Sequence, residues 1–184
     1  MSFRFRRRPR RPPPRNPDET PDRFAAARRP CERPGCGRCA ARATPPHPAR
    51  APTLAVTTLD GKPWSLADQR GKWVIVNYWA TWCAPCIKEM PEFSAFVAER
   101  DDVVAIGLEI GDEERAEVDA FLAKRPVVYP IAQVPMSDPP ADFGAPRGLP
   151  TTYLIAPDGT VAKKFMGPVT RRDLEQVIAG HRAG

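Results

Sequence analysis

The chain has 184 residues, 24 of them proline, with 28 Lys and Arg against 22 Asp and Glu and a net charge of +6. That length suits one domain of ordinary size, and its longest apolar run, residues 73–80, is far too short to cross a bilayer, which needs about 20 residues. The positive charge is local: Met1–Arg50 holds 14 Arg and 4 acidic residues, net +10, so the remainder carries −4, and the overall balance is no sign that a folded body binds nucleic acid.

Residues 1–50 are rich in Arg, Pro and Ala and poor in large aliphatic side chains. Pro12-Pro13-Pro14 and Pro45-Pro46 forbid a continuous helix, and too little apolar surface is present to offset ordering entropy. We expect a disordered basic tail over 1–50 and a folded domain over 51–184. The N-terminus is basic but no apolar core follows it, so neither a signal peptide nor a membrane anchor is expected. Cys31, Cys36 and Cys39, with His47 nearby, supply the ligand types of a Cys₃His zinc site. Their Cys-x₄-Cys-x₂-Cys spacing is not a common finger spacing, and no apolar residues are placed to pack around a metal. Incidental thiols are the preferred reading, and no metal is expected.

From Pro52 the texture changes. Leu54–Leu59 and Lys62–Leu66 read as two short strands around Asp60-Gly61. Trp73–Trp79 reads as a central strand buried on both faces. Ile87, Met90, Phe93, Phe96 and Val97 recur at helical spacing, with Pro91 inside the helix. Val103–Ile110 is a second apolar strand. Asp112 is expected to cap the next helix, with Glu113 and Glu114 in its first turn, a buried stripe of Val118, Phe121 and Leu122, and a stop at Pro126. Val127–Ala132 reads as a short strand and Pro135–Arg147 as a loop. Thr151–Ala156 and Thr160–Phe165 make a hairpin around Pro157-Asp158-Gly159. The last helix opens at Thr170, with Asp173 as a capping box, and buries Leu174, Val177 and Ile178. Strands alternating with helices, closed by a hairpin and a helix, give an α/β domain with a central mixed sheet flanked by helices, extended at its N-terminus by a β-hairpin.

The stretch that carries chemistry is Trp82-Cys83-Ala84-Pro85-Cys86, between the first long strand and the first helix. Two cysteines three apart at a helix start lie almost one turn apart, within reach of a disulfide. Unpaired backbone N–H groups and the helix dipole there favour a thiolate, the nucleophile of disulfide exchange. A Cys-x-x-Cys beside a βαβ pattern reads as a thioredoxin-like redox motif. The rival readings are half a zinc site, which lacks two further ligands in the body, and a plain structural disulfide. Pro85 stiffens the loop and brings no charge, so a reducing couple is expected, nearer about −270 mV than about −120 mV.

Leu59-Asp-Gly-Lys, Ser65-Leu-Ala, Arg70-Gly-Lys, Val76-Asn-Tyr-Trp-Ala-Thr-Trp-Cys-Ala-Pro-Cys, Glu89-Met-Pro, Gly148-Leu-Pro-Thr-Thr and Ala156-Pro-Asp-Gly occur in order over residues 52–180. This stretch resembles the TlpA/ResA-like thiol–disulfide oxidoreductases of the thioredoxin superfamily, AhpC/TSA-related proteins; the tail has no counterpart. The resemblance implies a thioredoxin-like fold, a redox-active disulfide in place of a cofactor, and work outside the cytoplasm in the cell envelope. It implies Cys83 as exposed attacking thiolate, Cys86 as resolving cysteine, and Glu89 as the carboxyl that tunes or relays protons. Asn77 stands where thioredoxin has a buried Asp, so a relay falls to Glu89; an exposed surface glutamate is the plainer alternative. Pro150 matches the family's cis-proline, with Leu149–Pro150 offering backbone to an extended substrate segment; an ordinary trans turn is the alternative. Trp82 and Pro85 belong to the same substrate surface, and Trp79 and Trp82 either shield the site or serve as core.

The expected partners are a disulfide-bearing protein and an upstream thiol donor, with the chain a monomer. The substrate stays open among apocytochrome c, other envelope proteins and small disulfides, and without a signal the cytoplasm is the alternative compartment. A thiol peroxidase on the same fold is the main rival. It needs a Thr-x-x-Cys context, and Ala80 stands three before Cys83. A copper module would need a body histidine, and only His181 is available. A tail-driven anion binder is the non-enzymatic alternative.

Overall fold

The structure, a computed structural model, describes residues 51–182. The expected tail and its Cys31, Cys36, Cys39 and His47 lie outside the described residues. A short hairpin opens the described part: β1 (Ala55–Thr57) runs antiparallel to β2 (Pro63–Ser65). The turn between them places Gly61 at φ 81°, a left-handed conformation that a Cβ disfavours. Leu59 N donates to the Ile131 carbonyl at 2.7 Å, tying the hairpin to the main sheet.

The main sheet has five strands: β3 (Trp73–Trp79), β4 (Val103–Ile110), β5 (Ile131–Val134), β6 (Thr151–Ile155) and β7 (Val161–Met166). Their order is β5-β4-β3-β6-β7. β3, β4 and β5 run parallel, joined through α1 (Ala84–Ala98) and α2 (Arg115–Lys124), while β6 and β7 are antiparallel additions. The sheet is therefore mixed, and β3 at its centre is buried at every position. α3 (Arg171–Arg182) closes the chain, and Thr170 and Asp173 form the expected capping box, with Thr170 N donating to Asp173 Oδ2 at 2.9 Å. No helix among the described residues is long and apolar enough to cross a membrane.

Side-chain alternation sends the sheet into two apolar layers. On one face Trp73, Ile75 and Trp79 of β3 pack with Met90, Phe93 and Phe96 of α1, Val118 of α2, and Leu174 and Ile178 of α3. Cys83 and Cys86 belong to this layer. On the other face Val74, Val76, Tyr78, Ile106 and Leu108 meet Leu54, Leu66, Phe143 and Tyr153.

Two expectations about elements are corrected. α2 starts at Arg115 behind Glu114, with no side-chain cap, so Asp112 does not cap it and Glu113 is not in its first turn. Glu113 is engaged elsewhere: its carboxylate accepts from Thr81 and its carbonyl accepts from Gln133. The strand expected at Val127–Ala132 begins only at Ile131. Pro130 has no N–H to enter a ladder, and Val128 points outward at 64% exposure; pairing with β4 starts where Gly107 meets Ile131.

Candidate active site

β3 ends at Trp79, and Ala80-Thr81-Trp82 carries the chain to Cys83, the N-cap of α1. Cys83 N donates to the Ala80 carbonyl at 3.1 Å, and Ile87 N donates to the Cys83 carbonyl at 3.1 Å, so the loop is pinned on both sides of the cysteine. The Cys83 sulfur caps the helix: Cys86 N donates to it at 3.4 Å. A negative charge on Cys83 Sγ would meet that N–H and the positive end of the helix dipole. The two sulfurs are bonded at 2.01 Å, with Cα atoms 5.3 Å apart. Pro85 occupies the first turn, where its missing N–H costs no helical bond.

The resemblance implied an exposed Cys83, and in the oxidised chain it is buried instead. It is 4% accessible and Cys86 is fully buried. In the oxidised pair the Cys83 sulfur turns back over the first helical turn toward Cys86, and Trp82 takes the outward position at 65% exposure. Trp82 therefore flanks the disulfide rather than covering the core, whereas Trp79 is wholly buried with its ring 5.6 Å from Phe121.

Glu89 sits almost one turn beyond Cys86 on α1 and is 4% exposed, so the surface-glutamate alternative fails. Asn77 Nδ2 donates to Glu89 Oε1 at 2.9 Å and to Thr152 Oγ1 at 3.0 Å; Val169 N donates to Glu89 Oε2 at 3.1 Å. These bonds tie α1 to β3, β6 and the loop before α3. Burial pushes the Glu89 acid up to about 7, against the pull of the two hydrogen bonds toward the charged form. Tyr129 is buried in the same layer; its phenol is pushed upward by burial and, second, by the Glu89 charge. The Leu149–Pro150 peptide is cis, Leu149 is half-buried, and Pro150 is buried.

The sequence reading missed one residue here. Glu109 stands inside the apolar run of β4, with Ile110 after it, yet it points to the same layer as the cysteines and is fully buried. Its position in the strand alternation, with Val103 and Ala105, is the signal that would have found it. Burial and then the Glu113 charge push its acid up to about 7.

The two acids give stability a definite pH dependence. The folded chain keeps both protons up to about pH 7, while the unfolded chain releases them near 4.5. Folding takes up protons between those values, so stability falls as pH rises through that window. Asp158 and Asp173, held below the usual carboxylate range by their bonds to Thr160 and Thr170, act only in more acid solution. Urea midpoints measured from pH 5 to pH 8 are expected to fall; a flat or rising midpoint would mean that neither carboxyl is held protonated.

Comparison with known proteins decides the kinship. The model of the AhpC/TSA family matches residues 48–164. The chain belongs to the AhpC/TSA family. Within it, the thioredoxin-like protein YneN of Bacillus subtilis is 33% identical over 132 residues, covering 70% of this chain and 76% of that protein. The thiol-disulfide oxidoreductase ResA of Bacillus anthracis is 35% identical over 127 residues, covering 68% and 72%. Among solved structures, a thiol:disulfide interchange protein of the thioredoxin family from Chlorobium tepidum TLS superposes with a TM-score of 0.62 at 28% identity, over 73% of this chain and 96% of that one. This AhpC/TSA member is thus a thiol–disulfide oxidoreductase of the thioredoxin superfamily, built around a Cys83–Cys86 pair. Among the described residues no group of metal-ligating side chains is arranged to hold an ion, and His181 instead turns its ring edge to Trp73 at 5.2 Å.

Proposed function

We propose that the chain reduces disulfides in proteins, with Cys83 as attacking thiolate and Cys86 as resolving thiol. The observation that carries this reading is the bonded sulfur pair at the start of α1, with a buried acid almost one turn further along the same helix. In the reduced chain the Cys83 thiolate attacks one sulfur of the substrate disulfide and releases the other as a thiolate, leaving a mixed disulfide. Cys86 then loses its proton and attacks the Cys83 sulfur. The second substrate sulfur leaves, and the Cys83–Cys86 disulfide forms. Two electrons pass to the substrate, and an upstream thiol donor returns them.

Glu89 is the group proposed to take and give the proton of Cys86, since its acid titrates near neutrality. Trp82, Pro85 and the Leu149–Pro150 backbone are proposed as the surface for an extended substrate segment. The reaction needs no metal or organic cofactor. By resemblance to its relatives the chain is proposed to act in the cell envelope, as a monomer, on proteins such as apocytochrome c or in general thiol upkeep, with no nucleic-acid partner.

Thiol transfer tests this reading. The chain is reduced with dithiothreitol, desalted, and mixed with a peptide carrying one disulfide. Two thiols should appear in the peptide for each Cys83–Cys86 pair formed. Absence of transfer, with peroxide consumed in the absence of any disulfide donor, would favour a thiol peroxidase instead.

A further inference from the structure

The buried acid that this mechanism leaves unused is Glu109. Neither of its carboxylate oxygens, nor Glu113 Oε2 beside it, has a well-formed hydrogen bond among the described residues; the Gln133 amide lies near enough to pull the Glu109 acid down, and the Glu113 side chain pushes it up. Gly111 lies over both: a Cβ there would collide with Glu113 Oε2 and lie 3.0 Å from Glu109 Oε1. Two carboxyl groups thus converge on a space that only glycine leaves open. Two bare carboxylates so placed repel in a buried setting, and one proton held between them removes the repulsion. The other oxygen of Glu113 accepts from Thr81 Oγ1 at 3.1 Å, and the Glu113 carbonyl accepts from Gln133 Nε2 at 2.7 Å. Thr81 is two residues before Cys83, in the loop that presents Trp82.

We propose that Glu109 is a positioning residue for disulfide exchange: its carboxylic O–H donates to Glu113, which in turn holds Thr81 and so fixes the approach of Trp82 and Cys83. The proposal rests on Cys83–Cys86 being the exchange couple. Loss of the shared proton to solvent leaves two carboxylates, drives Glu113 from Glu109 and loosens its bond to Thr81. The surrounding groups agree with this. Asp112 adds negative charge to the pair, and Glu117 lines the same shallow groove with Trp82, Glu113 and Met136. Arg115 is turned away, paired with Asp119 at 2.9 Å and with the Leu59 carbonyl. β3 brings Trp79 and β5 brings Gln133 opposite Glu109, neither of them ionising. α1's buried acid, Glu89, is held by Asn77 and Val169. Burial and the Glu113 charge push the Glu109 acid up to about 7, where a proton would come and go.

The test is nuclear magnetic resonance of the oxidised full-length chain, following the Thr81 amide and the Trp82 indole N–H from pH 5.5 to pH 8.5. Both signals should titrate in the wild type. Glu109→Gln keeps a donor to Glu113 that cannot ionise, so both signals should stay at their low-pH positions. Glu109→Leu removes both the donor and the titrating charge, so both signals should stop titrating and sit away from their low-pH positions. Thr81→Val breaks the link itself: the Trp82 signal should then stop titrating while the Glu109 carboxyl carbon still does. Disulfide-exchange rates should follow, with Glu109→Leu slower than wild type at pH 6 by roughly threefold to tenfold, the scale of coupling within one hydrogen-bond network, and Glu109→Gln close to wild type. Titration surviving unchanged in Glu109→Gln, or Glu109→Leu matching the wild type at pH 6 in signals and rate, would overturn the proposal. Wild-type thiol transfer at pH 7 reads the exchange couple separately, because its failure would leave these titrations intact.

Discussion

A chain carrying Cys86→Ser is expected to bind one substrate molecule through Cys83 and release it only slowly. The first displacement needs only the Cys83 thiolate, which the first turn of α1 favours: the Cys86 backbone N–H already points at that sulfur at 3.4 Å. Serine at position 86 keeps this N–H but cannot attack the mixed disulfide. Mass spectrometry should find one adduct per chain, reversed by dithiothreitol. Cys83→Ser should form no adduct and lose turnover by roughly three orders of magnitude or more, the scale on which removal of a covalent nucleophile acts. Adduct formation at Cys86 in the Cys83→Ser chain would reverse the two roles. The burial of both cysteines makes the assignment worth measuring, since Cys83 is only slightly the more accessible, at 4% against 0%.

The second large effect is on stability. Phe96→Ala should destabilise the oxidised chain by about 3–5 kcal/mol, a large part of the roughly 5–15 kcal/mol that such domains possess. Phe96 is fully buried between α1 and the sheet, and the guanidinium groups of Arg100 and Arg171 lie 5.1 and 5.5 Å from its ring centroid. Truncation removes the ring's buried area, leaves a cavity and strips both cations of their aromatic face. Urea unfolding measures the loss, and Phe96→Leu should cost clearly less. A Phe96→Ala loss below about 1.5 kcal/mol would show that the layer collapses into the space, which close-packed interiors resist.

The legible parts of the fold were those in which one physical signal dominated. Trp73–Trp79 and Val103–Ile110 read as strands because an unbroken apolar run of that length suits a strand buried on both faces, and both boundaries agree with the structure. The Asp60-Gly61 and Pro157-Asp158-Gly159 turns and the Thr170 capping box were legible because each rests on local backbone chemistry. Val127-Val128-Tyr129 misled because a short apolar run looks alike whether it pairs or merely bridges two prolines. Asp112 and Glu113 misled because an acid before a helix looks like a cap unless its tertiary partner, here Thr81, is known.

The same division holds at the site. Cys83 and Cys86 could be singled out from motif and spacing, and Glu89 and Asn77 from the family resemblance. That Asn77 donates to Glu89 could not, because it depends on how α1 lies across β3. The depth of Cys83 was misjudged because exposure within the motif falls to Trp82, and nothing in the spacing decides which of the two side chains turns outward. Glu109 is hidden because a single charge inside an apolar run that continues to Ile110 does not break the strand pattern, and its surroundings depend on how Gly111 and Glu113 fold back beside it.

The reduction potential of the Cys83–Cys86 couple tests the central claim most directly. It is measured by equilibrating the full-length chain with dithiothreitol or glutathione buffers at pH 7, with tryptophan fluorescence as the signal. Trp82 beside the disulfide serves as reporter. A single reversible two-electron transition below about −220 mV is the expected result, since an Ala-Pro pair between the cysteines leaves the thiolate without a side-chain cation and the dithiol a good reductant. A potential above about −150 mV would contradict the account and mark an oxidant or isomerase. The absence of any reversible couple would remove disulfide exchange from the protein altogether.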